Sequence, residues 1–176
     1  MSENDFLIGA VAVASIGGAF DMRTSRIPNW LTYSAGFFAL VARLILLGWS
    51  GLKSGAAAMA CAGLIFLLLF MIGAMGGGDV KLIASVSAWA GSAQVVAILI
   101  TAALAGGVLA IAYILFARGT RQTLWNLLDL VRFRLTSGLS PHPTLNVREA
   151  GTLRVPFGVA IALGTLFCAG NALWWR

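Results

Sequence analysis

Charge is what this chain of 176 residues has least of. Only 10% of its residues are charged, six acids against twelve bases, and histidine occurs once. Hydrophobic residues make up 60%, and mean hydropathy is +0.92. A soluble domain of this size cannot hide that much apolar surface, so the class is integral membrane protein. Cysteine occurs twice, at Cys61 and Cys168, inside apolar runs and never as a C-x-x-C pair. That argues against zinc and leaves two small hydrophobes expected to be buried. The lone His142 lies in a proline-flanked loop, Ser140-Pro141-His142-Pro143, and reads as a solvated residue. No histidine, serine or cysteine is placed to build a nucleophile system, and neither a metal nor a cofactor is expected. The apolar runs are helix-length and lack the alternation of barrel strands. No stretch is polar enough to form a separate soluble domain, so residues 1–176 read as one polytopic domain.

What is present is a series of apolar runs separated by basic punctuation. Six spans are expected: Phe6 to Phe20, Trp30 to Gly48, Ser54 to Met75, Val80 to Ala90, Ala93 to Ala117 and Val155 to Trp174. Trp30, Trp49 and Trp174 are placed as interfacial anchors, and Arg43 is close enough to Trp49 to snorkel outward. Ser50-Gly51-Leu52-Lys53 reads as a turn. The fourth span is short, at roughly 17 Å. A single helix from Val80 to Ala117 would be roughly 57 Å long, too much for one crossing of a ~30 Å core. Arg118 to Arg154 is the only long polar segment. Within it Asn126, Asp129 and Arg132 share one helical face, which predicts an amphipathic helix lying in the membrane surface. With six spans and the N-terminus outside, nine basic residues fall on the cytoplasmic side and three opposite, as the positive-inside rule requires. The same distribution makes a bilayer, not a nucleic acid, the partner of the net charge of +6.

The chain is organised around Gly76-Gly77-Gly78-Asp79, a triple glycine and an acid between two spans. An ionisable group there is a functional-site hypothesis by default. One reading makes Asp79 the N-cap of the next helix. The other has the glycines expose backbone that a substrate strand can approach, beside a carboxylate. Span counting decides between them. Asp21 follows span one and Asp79 follows span three, so both emerge on the same side, and they are the only acids at span ends. Two facing aspartates cannot both ionise easily and share a proton. The ionised member can take a proton from water while the other hydrogen-bonds a peptide carbonyl and later protonates the amine. Asp21 taken alone would read as an interfacial acid paired with Arg23 or Arg26.

Three motifs carry a family resemblance. Gly76-Gly77-Gly78-Asp79 fits the G-x-G-D motif of intramembrane aspartyl proteases. Asp21-x-Arg23 with Arg26-Ile27-Pro28-Asn29 resembles the first-aspartate motif of the type IV prepilin peptidases, and Val155-Pro156-Phe157-Gly158 is similar to that family's Pro-aromatic-Gly segment. Presenilin-type relatives match less well. The resemblance implies a bacterial inner-membrane endopeptidase with Asp21 and Asp79 catalytic, cutting the leader of prepilins or pilin-like precursors at the cytoplasmic face. Gly76, Gly77 and Gly78 are then candidates for contact with the substrate backbone, and Lys81 and Arg23 for an acidic substrate residue, although both bases also suit membrane anchoring. Only Met22–Asn29 separate the first two spans, with no room for the cysteine-bearing segment of the bifunctional members. That implies a peptidase without N-methyltransferase activity, similar to the form serving tight-adherence (Flp) pili. The alternative is a transporter or assembly scaffold that uses the acids as proton or cation sites.

Overall fold

The computed structural model describes residues 5–116, 125, 129, 132, 136 and 156–174. These form α1 (Phe6–Thr24), α2 (Asn29–Met71), α3 (Gly77–Ala90), α4 (Val95–Phe116) and α5 (Phe157–Trp174), so the chain is an all-α membrane protein. Three helices, α1, α2 and α4, are long and apolar enough to cross a membrane. Most of the 118–154 segment, His142 included, lies outside the described residues. Of the expected amphipathic helix only Trp125, Asp129, Arg132 and Thr136 are described, each helical and exposed.

Helix α2 has 43 residues. As one rod it would run roughly 65 Å. It is instead broken at Gly48, whose φ of 68° and ψ of −158° lie outside the helical region. The two arms, 29–47 and 49–71, fold back on each other: Gly36 faces Met59, and Gly55 faces Arg43. The reversal therefore sits at Gly48, a position where glycine's tolerance of positive φ is needed. The expected turn at Ser50–Lys53 is already helical, since its polar residues stand at the start of the second arm.

Contacts fix the direction of every rod. On α1, Gly9 faces Trp89 and Gly17 faces Leu82 of α3, while Gly18 faces Gly158 and Ala162 of α5. Thus α1 runs antiparallel to both. Asn29 meets Lys81 and Ala35 meets Trp89, so the first arm of α2 runs parallel to α3. Just before α4 Gln94 meets Cys168, and on α4 Thr101 meets Gly164 and Gly106 faces Phe157, which makes α4 antiparallel to α5. Successive rods alternate in direction. The end of α1 and the starts of α2, α3 and α5 gather at one rim.

Burial is inverted relative to a soluble protein. Ala10, Ala14, Ala39, Ala62, Ala88 and Ala102 are buried, while Phe37, Phe38, Leu68, Ile100, Leu104 and Val108 are largely exposed. Small residues let helices approach closely where lipid supplies no hydrophobic drive for association. Large apolar side chains then face the hydrocarbon. Cys168 is buried as expected, but Cys61 is exposed, on the outward face of α2.

Arg43 departs furthest from expectation. It does not snorkel but is fully buried, at 0% exposure. Its Nη2 donates to the Trp89 carbonyl at 2.8 Å, and its guanidinium lies 4.8 Å from the centre of the Phe6 ring. Gly55 and Gly91 leave it space. The carbonyl it meets belongs to the last turn of α3, where helix carbonyls lack partners and the helix dipole favours a cation.

Candidate active site

The site is built from three helix ends. α1 closes with Ser25 in the left-handed region, φ 50°, its N–H donating to the Asp21 carbonyl at 2.9 Å. Asp21 therefore lies in the last turn of α1, one step further into the helix than a residue following the span. Thr24 Oγ1 donates to the carbonyls of Phe20 and Arg26 and pins the link to the helix end. Pro28 then precedes α2 with extended backbone, as its ring and missing N–H dictate.

α5 supplies the partner of Asp21. Pro156 has no N–H, and the residues after it open the helix with donors lacking intrahelical acceptors. One of these, the N–H of Gly158, donates to Oδ2 of Asp21 at 2.7 Å. Glycine is required there, because a Cβ at 158 would stand 2.9 Å from Cβ of Asp21 and 3.0 Å from its Oδ2. Phe157 fixes this helix start by packing on Phe66, 5.9 Å between ring centres. Asp21 is 9% exposed. Among the described residues it pairs with neither Arg23 nor Arg26, both of which are exposed.

α3 supplies the second acid. The second arm of α2 ends at Met71, Gly73 turns the chain with φ 76°, and Gly76 is the extended residue before the helix. Asp79 is thus the third residue of α3 and not its N-cap. Its Oδ2 accepts the N–H of Gly76 at 3.2 Å, a reach-back that satisfies one of the helix's free donors. Asp79 precedes the apolar run that begins at Val80. Burial first and the neighbouring Asp21 carboxylate second, against the opposing bond from Gly76, together raise its carboxyl from the ordinary 3.8 to about 7. The two acids, 58 positions apart in sequence, are therefore electrostatic neighbours. Two such carboxyls together hold a proton that neither would hold alone.

The other expected site residues are arranged differently. Gly77 and Gly78 are helical and turn toward Phe70 and Ile27, Gly78 with 3.3 Å to Cβ of Ile27 for an added Cβ. Their smallness seats α3 against the end of α2 and the 25–28 link. Lys81 Nζ donates to Oδ1 of Asn29 at 3.0 Å and lies 5.1 Å from the centre of the Tyr33 ring. Both Lys81 and Arg23 follow an aspartate by two positions, roughly 200° around a helix, and so point away from the acid pair.

The sequence pattern of the type IV leader peptidase family matches residues 6–111 of the chain. The chain belongs to that family. The matched stretch contains Asp21 and Asp79, whereas Gly158 lies beyond it. No match was found among curated proteins or among solved structures. Membership makes the chain a membrane peptidase of the leader-cutting class. Gly158 has no chemical side chain to give it away; its signal was the Pro-aromatic-Gly opening of an apolar run.

Proposed function

We propose that this leader peptidase is an aspartic endopeptidase with Asp21 and Asp79 as its catalytic pair. It cuts the leader of type IV prepilins, or of pilin-like precursors of the tight-adherence (Flp) type, at the cytoplasmic face of the bacterial inner membrane. The observation carrying this reading is the electrostatic contact between two acids on different helices, one of them held by the N–H of Gly158. The ionised member takes a proton from water, the water attacks the scissile carbonyl, and the protonated member polarises that carbonyl and then passes its proton to the leaving amine. Gly76, Gly77, Gly78, Lys81 and Arg23 are the candidates for substrate contact, the glycines at the backbone and the bases at the rim.

Six crossings of the bilayer fit the alternating directions of the six rods. Arg23, Arg26 and Lys81 share the aspartate rim, and Lys53 and Arg43 lie toward the other end, which supports a cytoplasmic site. Residues 25–28 alone link α1 to α2, and so short a link supports a peptidase without methyltransferase activity. Co-expression of a prepilin with Asp21→Asn or Asp79→Asn tests the pair on a gel. Each single variant should leave the precursor uncut; full cleavage by either would overturn the pair.

A further inference from the structure

Asp21 and Asp79 each accept one backbone N–H, and the two bonds are unequal. Asp21 accepts a short bond, 2.7 Å, from the Gly158 N–H. That donor sits in the first turn of α5, on another helix, and its bond to a carboxylate is charge-assisted; Asp79 stands in the first turn of α3, so the helix dipoles favour charge on both acids and do not separate them. Among the described residues Asp79 accepts only the longer 3.2 Å bond from Gly76, the residue immediately before its own helix. We propose that Gly158 is a positioning residue for the cleavage reaction, its N–H keeping Asp21 ionised and turned as the base and so leaving the shared proton on Asp79 as the acid. This inference rests on the aspartic reading above.

The surrounding charges do not supply the same bias. α3 contributes Asp79 itself and Lys81, whose ammonium is engaged by Asn29. Arg23 and Arg26, on α1 and its link, are exposed. α5, Phe157–Trp174, has no charged residue. On α2, Arg43 and Lys53 lie toward the opposite end. The bond from the Gly158 N–H, shorter than that from Gly76, is thus what distinguishes one carboxylate from the other. A larger residue at 158 would press on Asp21 Cβ, so the same glycine admits the carboxylate and supplies its donor.

Replacing the amide at this position by an ester removes the N–H and adds no side chain. The chain with glycolate in place of Gly158, made by cell-free translation into nanodiscs, is assayed on a synthetic prepilin across pH. Loss of one charge-assisted donor should lower kcat roughly tenfold and leave KM nearly unchanged. The acid limb of the pH profile, which reports the base, should move up by roughly one unit and by more than the alkaline limb. Gly158→Ala should also lower kcat and displace the acid limb in the same direction. Activity lost with the acid limb in place would mark Gly158 as packing alone and overturn the inference. Wild-type activity in the ester form would overturn it as well. Failure of the aspartic reading looks different: Asp21→Asn or Asp79→Asn would then still cut.

Discussion

The two ends of α3 carry opposite charges in opposite circumstances. At its start Asp79 sits beside a second acid, Asp21, and burial together with that neighbour pushes its carboxyl up to about 7. At its finish Arg43, reaching in from α2, meets the Trp89 carbonyl and the Phe6 ring. Arg43 is the more deeply buried of the two, yet its surroundings suit a cation: a terminal helix carbonyl and an aromatic face. Asp79 also stands at the helix end that favours its charge, but a like charge faces it. Burial therefore does not separate the working end from the holding end. The sign of the neighbours does, and under the proposed aspartic reading the Asp79 end is the one that exchanges a proton.

This contrast predicts that the two ends fail differently. Asp79→Asn should lower leader cleavage by at least ~10³-fold while the purified protein unfolds no earlier on heating. Arg43→Ala should do the reverse. It deletes a side chain packed against Gly55 and Gly91 and leaves the Trp89 carbonyl without that donor, a loss of about 3 kcal/mol. Thermal unfolding in detergent should show it, with cleavage per folded molecule retained. If Arg43→Ala instead abolished cleavage in a fully stable protein, the division between the ends would be wrong.

A smaller effect concerns pH. The folded value of Asp79, about 7, stands above the ordinary 3.8, so the native state binds its proton more tightly than the unfolded chain. The stability this group contributes is fully present below about pH 4 and is lost as pH rises through about 7. Asp79→Asn should flatten that slope and raise Tm at pH 8. An unchanged slope in melting curves taken from pH 5 to 8 would contradict the raised value. Smallest of all, Lys81→Gln should cost less than ~1 kcal/mol, because it loosens one rim contact with Asn29 and Tyr33 and leaves Asp79 in place.

Much of this was legible in the sequence, and the reasons are particular. Gly91 ended the short apolar run beginning at Val80, and Pro28 opened the next helix, because glycine and proline act locally on the backbone. The meeting of Asp21 and Asp79 followed from parity, since the two arms of α2 between them return the chain to the same end of the bundle. Four features were hidden. The reversal at Gly48 was masked by the more polar Ser50–Lys53, which proved helical. Arg43 resembled an interfacial base because its carbonyl and ring partners come from α3 and α1, far away in sequence. Gly158 acts through a backbone N–H, which every residue but proline carries, so residue type alone could not assign its role. Gly77 and Gly78 likewise looked like open backbone, and their packing on Phe70 and Ile27 emerges only when the 25–28 link is placed.

The central claim is that two acids from separate helices converge at one rim of the bundle. Cross-linking tests it most directly, with Cys61 and Cys168 replaced by serine and the pair Asp21→Cys and Asp79→Cys introduced in membranes. The account predicts efficient joining by a short bifunctional thiol reagent and labelling of both thiols from the same side of the membrane. Thiols that never join and are labelled from opposite sides would contradict it.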